Sequence, residues 1–237
     1  MDRFKYVILG GGMVAGHAAD EMVEQGLNPG ELCIVSMDED LPYMRPPLSK
    51  DLMREEKEES EVFINDPTFY QDNGIEVVLN AWVKSVDFDA RELSSKSHTI
   101  GFGNLLIATG AWPNSLDVPG FDLDGVHLLR TLVQSKAIHD AAKDAGKAVV
   151  IGAGFIGMEM ASSLTMLGVD TTLVYREDRV MKGRFTEPIS DYFEQYYRDR
   201  GVRLVPESDV DAIEGEYHVV GVTAASGETF DADMVVA

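Results

Sequence analysis

The sequence predicts an α/β chain folded as two units, each a parallel sheet flanked by helices. Three observations carry that prediction. The first is the turn Gly10-Gly11-Gly12-Met13-Val14-Ala15, entered from an apolar run over residues 4–9 and followed by helical spacing at Ala18, Met22 and Val23. The second is its echo, Gly152-Ala153-Gly154-Phe155-Ile156-Gly157, entered from apolar residues 148–151 and followed by a helical stretch over 158–167. The third is length: 237 residues accommodate two medium domains, and the spacing of the two turns favours that division.

A strand, a glycine turn and a helix in that order suit a bound dinucleotide. Gly10 permits the tight turn, Gly12 lets backbone approach a pyrophosphate, and Ala15 is small enough for the helix to pack on the strand. The helix N-terminus then offers N–H groups and a partial positive charge to phosphate. Either turn alone is weak, because ordinary α/β turns also carry glycines; two copies in matching context point to two dinucleotides. The fold class is therefore α/β, with two Rossmann-like dinucleotide-binding domains, parallel sheets and a small antiparallel insertion.

Composition narrows the function classes. With 45% apolar residues and 9 prolines, the chain can build well-packed cores. Its 41 acidic residues against 20 basic ones give a net charge of −21, a field that disfavours nucleic acid and anionic membrane as partners; it reads as a solvated, solubilising surface, with adaptation to high salt the sharper alternative. No apolar run is long enough to span a bilayer, and Met1-Asp2-Arg3 leads directly into the first strand, so the expectation is a cytoplasmic protein without a signal peptide. The single cysteine, Cys33, sits in an apolar run and reads as a buried strand residue. One cysteine provides neither a redox dithiol nor a thiolate cluster for a metal, and no metal site is expected.

Taken in order, residues 31–36 form a second strand, with Asp38 placed to meet a ribose and Glu39 and Asp40 beside it; a solvated acidic loop is the other reading. Three prolines stiffen Leu41-Pro42-Tyr43-Met44-Arg45-Pro46-Pro47-Leu48-Ser49-Lys50, which presents Arg45 and Lys50 as phosphate contacts or as surface charges. The charge run over residues 51–61 carries no assigned chemistry. A short helix within 63–73 and a third strand at 75–79 follow. Short alternating segments at 82–88, 92–94 and 98–102 predict the antiparallel insertion, before a last strand at 105–108 that ends in Ala108-Thr109-Gly110-Ala111. Residues 112–120 link the domains. A helix over 134–145 then leads into the second turn, a strand over 171–175 precedes Tyr175-Arg176-Glu177-Asp178-Arg179, and a helix with Pro188 in its first turn ends at Gly201. His127 and His139 read as packing or surface residues. The chain closes with a strand at 201–205, half of a hairpin at 217–224 turning at Ser226-Gly227, and a strand at 234–236.

The first fifty residues resemble the flavin-dependent pyridine nucleotide oxidoreductases, and LPYMRPPLSK is similar to the corresponding loop of monodehydroascorbate reductases, bacterial ferredoxin reductases and apoptosis-inducing factor. The resemblance implies FAD in the first domain, residues 1–113, and NADH in the second, residues 114–237, with NADPH possible. It places Arg45 on the flavin nucleotide, Lys50 by the isoalloxazine ring, the adenine against backbone near Val83, and the second FAD signature at Thr109 and Gly110. Arg130 matches a position that reaches back to the flavin domain, and Glu159 one that pairs with the loop lysine, so a Lys50–Glu159 pair is expected across the domain junction. Glu177 matches the acidic residue that holds the NAD ribose, whereas Arg176 and Arg179 would suit a 2′-phosphate.

The implied activity is hydride transfer from nicotinamide C4 to flavin N5, followed by electron release to a small molecule or a small redox protein. An NADH-switched assembly protein and an inactive nucleotide-binding module are the alternatives. Relatives continue beyond the last strand into a segment that completes the FAD domain, so the expectation is a fragment of a longer protein with an incomplete FAD domain, the alternative being a natural short form with weakened flavin binding. The acceptor and the oligomeric state are not legible.

Overall fold

The computed structural model describes residues 2–237. The chain divides into two compact units, one running up to Arg45 and resuming over Glu58–Trp112, the other made of Pro46–Lys57 and Pro113–Ala237.

The first unit contains β1 (Asp2–Leu9), α1 (Met13–Glu24), β2 (Leu32–Val35), α2 (Pro67–Asp72), β3 (Glu76–Val78), β4 (Val83–Asp87), β5 (Glu92–Ser95) and β6 (Thr99–Ile107). They form one six-stranded sheet in the order β3-β2-β1-β6-β5-β4. Strands β3, β2, β1 and β6 are parallel, and β5 and β4 return antiparallel. Alternation of side chains builds two cores: Val7, Cys33 and Val35 meet Leu93, Ile100 and Phe102, while Ile8, Leu32 and Ile34 meet Ala15, Ala19 and Tyr70. Because β2 is buried at all four positions, it is apolar throughout instead of alternating. Burial also pushes the Cys33 thiol up to about 12, as fits a packing residue.

The two strands expected at 98–102 and 105–108 are a single strand, β6. A Cβ at Gly103 would stand 2.7 Å from the Lys5 carbonyl oxygen, so this glycine lets β1 approach and does not end the strand. The antiparallel insertion is thus an extension of the parallel sheet, since β6 belongs to both. Helix α2 starts later than the pattern predicts, because Asp66 accepts from the Thr68 N–H at 2.9 Å and Pro67 takes the first helical position.

The second unit contains β7 (Val126–His127), α3 (Leu132–Asp144), β8 (Lys147–Ile151), α4 (Phe155–Met166), β9 (Asp170–Val174), α5 (Glu187–Arg198), β10 (Arg203–Val205), β11 (Val210–Gly215), β12 (Val219–Ala224), β13 (Thr229–Asp231) and β14 (Met234–Val236). An all-parallel sheet runs β10-β9-β8-β14-β7, so β14 is paired on both sides. A three-stranded antiparallel sheet, β11-β12-β13, covers it: Val210, Ile213, Val222 and Phe230 join Val149, Val174 and Val235 in one core. The sequence indicates only the hairpin; β11 escapes because its six residues are half acidic or glycine. Helix α3 begins two residues early, at a capping box between Thr131 and Gln134.

Residues 46–57, assigned from sequence to the first domain, group with the second unit. The hydroxyls of Ser135 on α3 and Ser163 on α4 donate to the carbonyls of Leu48 and Ser49, each at 2.7 Å. Met53 is fully buried, and its carbonyl lies 2.9 Å from His139 Nδ1. We call this segment the strap.

Candidate functional site

Both glycine turns present backbone in the manner a pyrophosphate requires. In the first, Gly10 has φ +120°, and a Cβ there would fall on the Ala108 carbonyl. Gly12, the N-cap of α1, has room: its Cβ would meet only the Arg45 guanidinium, at 3.7 Å. Arg45 is itself braced over the Tyr43 ring, at 5.5 Å to the centroid. Ala15 is fully buried between α1 and the sheet. Gly16, which the sequence reading passed over, is as constrained, with Ile64 and Pro42 crowding the place of a side chain.

In the second turn, Gly152 has φ +97°, and a Cβ on either Gly152 or Gly154 would meet no atom within 4 Å. Gly157 lies against the Gly152 carbonyl, which leaves no space for a side chain. Neither α1 nor α4 is capped by a side chain. The N–H groups of both first turns therefore suit phosphate oxygens, and the donor set fits a dinucleotide at each turn. Phe155 and Ile156, on the first turn of α4, are half exposed.

Each turn has an acidic residue past the next strand. Asp38 follows β2, and its carboxylate accepts from the Tyr43 hydroxyl at 2.8 Å and from the Glu39 N–H at 3.0 Å. Glu177 follows β9 and pairs with Arg176 at 3.0 Å, while Arg179 lies 3.5 Å from Asp178. That pairing raises the Arg176 guanidinium above its ordinary value through the Glu177 hydrogen bond.

Lys50 Nζ lies 2.7 Å from Glu159 Oε2, and Ser49 Oγ donates to the same oxygen at 2.6 Å. The expected Lys50–Glu159 pair is therefore present, and because the strap groups with the second unit it lies within that unit. Tyr197 of α5 donates to the Met158 carbonyl at 3.1 Å, and burial, then the Glu159 charge, raises its phenol above the ordinary value.

The remaining candidates are dispersed. Val83 begins β4 at the sheet edge, opposite Ser95. Thr109 and Gly110 follow β6, with Gly110 at φ +70°. Arg130 lies in the second unit just before α3, where its N–H donates to Gln134 Oε1 at 2.8 Å. An open recess of about 540 Å³ in the second unit, lined by Lys147, Asp170, His218, Asp231 and Asp233, contains none of these residues. Three of its charged residues are engaged within the recess: Lys147 pairs with Asp231 at 2.7 Å, and Asp233 accepts from the Gly146 and Lys147 N–H groups.

The profile of the pyridine nucleotide-disulphide oxidoreductases matches residues 4–237. The chain belongs to this family. Among its members, a peroxisomal monodehydroascorbate reductase of Arabidopsis thaliana is 39% identical over 98% of this chain and 51% of its own length. The seedling isozyme of monodehydroascorbate reductase from Cucumis sativus is 35% identical over 99% and 58%. Of solved structures, a ferredoxin reductase from Rhodopseudomonas palustris superposes with a TM-score of 0.90 at 34% identity, covering 98% of this chain and 58% of that one. The chain thus spans about half the length of the curated relatives it matches. Family and relatives indicate FAD and NAD(P)H as cofactors. One relative is named peroxisomal and another chloroplastic/mitochondrial, so kinship assigns no compartment. No helix among the described residues is long and apolar enough to cross a membrane.

Sequence reasoning missed the supports of this site. Ser163 stands four residues after Glu159, one turn further along the same helix face, and that spacing is the signal that would have found it. Ser135 and His139, also one turn apart, hold the strap from α3. Tyr43 lies in the quoted loop, but its hydrogen bond to Asp38 depends on the path of that loop.

Proposed function

We propose that the chain carries the two dinucleotide sites of an FAD-dependent NAD(P)H oxidoreductase: FAD at the Gly10–Gly12 turn and a nicotinamide nucleotide at the Gly152–Gly157 turn. The observation that supports this most directly is the pair of uncapped helix N-termini, each preceded by glycines whose missing side chains leave the backbone accessible. Bound, the cofactors would supply the redox chemistry: hydride transfer from nicotinamide C4 to flavin N5 reduces the flavin by two electrons, which would leave one at a time to two acceptor molecules. The acceptor class follows the relatives' names: a small radical such as monodehydroascorbate, or a small redox protein, since one structural relative is a putidaredoxin reductase joined covalently to putidaredoxin.

The chain's own residues bind, orient and balance charge. Arg45 and the α1 N-terminus face a pyrophosphate, and Asp38 accepts from a ribose. Val83, Thr109 and Gly110 would line the flavin nucleotide, and Arg130 would support it. At the second turn Phe155 and Ile156 cover the nicotinamide nucleotide, and Glu177 accepts from its ribose hydroxyls. With Arg176 engaged by Glu177, the site favours NADH over NADPH. Lys50 is held by Glu159 and would present its ammonium to a bound flavin.

Visible absorption of the purified chain, with FAD added and then anaerobic NADH, tests the reading. A flavin band that NADH bleaches more readily than NADPH supports it. A chain that binds NADH but acquires no flavin band is a nucleotide-binding module and not a reductase.

A further inference from the structure

Glu159 Oε2 receives two donors, and they differ in how firmly each is placed. The Lys50 side chain is 39% exposed, ends a flexible four-carbon stem, and has a second acceptor nearby, the Pro46 carbonyl at 3.4 Å. Glu159 is itself 27% exposed, and an ion pair this open to water does little to hold two long side chains in one geometry. Ser49 is different. It is buried, its side chain is short, and its hydroxyl donates to Oε2 at 2.6 Å.

The backbone of Ser49 is held just as firmly. Its carbonyl accepts from Ser163 and the preceding carbonyl, of Leu48, accepts from Ser135, both at 2.7 Å from hydroxyls that are almost wholly buried. Buried hydroxyls and carbonyls must find partners, and here they find each other across the strap. Hydroxyls of α3 and α4 thus hold the strap backbone at Leu48 and Ser49, and the Ser49 hydroxyl in turn reaches the carboxylate that Lys50 meets.

We infer that Ser49 is a positioning residue: its hydroxyl fixes the Glu159 carboxylate so that Lys50 is held in one place, and Ser163 and Ser135 hold Ser49. This rests on the reading that Lys50 and Glu159 serve the nicotinamide–flavin reaction. Without the Ser49 hydroxyl, Glu159 gains rotamer freedom, and Lys50 divides its time between Glu159, the Pro46 carbonyl and water.

The test uses the chain labelled with ¹⁵N-lysine and no added cofactor, following the Lys50 Nζ signal assigned by its loss in Lys50→Arg. The expected result is that Ser49→Ala mobilises the Lys50 ammonium to the degree that Glu159→Gln does, while Ser49→Thr, which keeps a hydroxyl, restores wild-type order. Ser163→Ala, leaving Ser49 itself intact, produces the same change in smaller measure, and serves alone should Ser49→Ala not fold. A Lys50 signal unchanged in both alanine variants overturns the inference. With FAD present, Ser49→Ala is expected to slow flavin bleaching by NADH about tenfold while leaving NADH affinity within about twofold, the signature of lost orientation and not lost binding. Because the resonance measurement involves no cofactor, a wild-type chain that NADH fails to bleach counts against the proposed function and leaves the Ser49 result to be judged separately.

Discussion

The Tyr43 hydroxyl donates to Asp38 Oδ2 across 2.8 Å, from a ring that is itself 1% exposed. The stiff proline loop thereby orients the carboxylate proposed to meet a ribose, and the same ring braces Arg45. Tyr43→Phe keeps the packing and the face presented to Arg45 but removes the donor. Stability should fall by no more than about 1 kcal/mol, because Asp38 is partly exposed and water replaces the bond. FAD affinity, followed by quenching of flavin fluorescence, should drop several-fold; unchanged affinity would remove Asp38 orientation as a function of this loop.

The two turns separate folding from binding. Gly154 has φ −81° and empty space where a Cβ would go, so Gly154→Ala should alter urea stability by less than about 0.5 kcal/mol. It should nevertheless weaken NADH about tenfold or more, since the added methyl occupies the phosphate's approach. Gly10→Ala, at φ +120° and against the Ala108 carbonyl, should instead cost about 2 kcal/mol or more of stability. An NADH dissociation constant unmoved by Gly154→Ala would locate the nucleotide elsewhere.

His127 on β7 has Nε2 buried with no hydrogen-bond partner among the described residues. Burial is the main cause that lowers its imidazole below the ordinary 6.5; Asp124 opposes the shift and His218 adds to it. A depressed folded-state value favours the neutral ring, so its contribution to stability is present above 6.5 and is lost as pH falls below it toward the folded value. The urea midpoint should therefore drop between about pH 7.5 and about pH 5.5, and His127→Leu should flatten that drop. An equal drop in wild type and variant would assign the slope to the other histidines.

Cys33 is the only cysteine in the sequence, so thiol labelling reports on one place. Fully buried and pushed up to about 12, it should resist alkylation at about pH 8 in the folded chain and react completely in strong guanidinium. The labelling rate in urea then measures opening of the first sheet. Rapid labelling of the folded chain would show that β2 is not packed on both faces.

The double glycine fingerprint was legible in the sequence because it is local: strand, turn and helix are neighbours along the chain, and each glycine answers a steric demand made within a few residues. The apolar β2 was legible for the same reason, whereas the starts of α2 and α3 were misplaced because Asp66 and Thr131 were not read as caps. Less legible was the sheet to which a segment belongs. The continuity of β6 depends on Gly103 meeting Lys5, far away in sequence, and β11 exists because Val210 and Ile213 find a core formed by other strands.

Periodicity and turn chemistry are written into contiguous residues, and they made the two-unit α/β class, both glycine turns, the acidic residues after β2 and β9 and the buried cysteine readable before folding. The folded chain added that the strap groups with the second unit, so that the expected Lys50–Glu159 pair lies inside that unit. It also set the hydroxyls of Ser135 and Ser163 on the carbonyls of Leu48 and Ser49, and the Ser49 hydroxyl on Glu159. The physical reason is the same for each: a serine hydroxyl has no pattern of its own, and its partner is whichever carbonyl or carboxylate the folded backbone brings within reach.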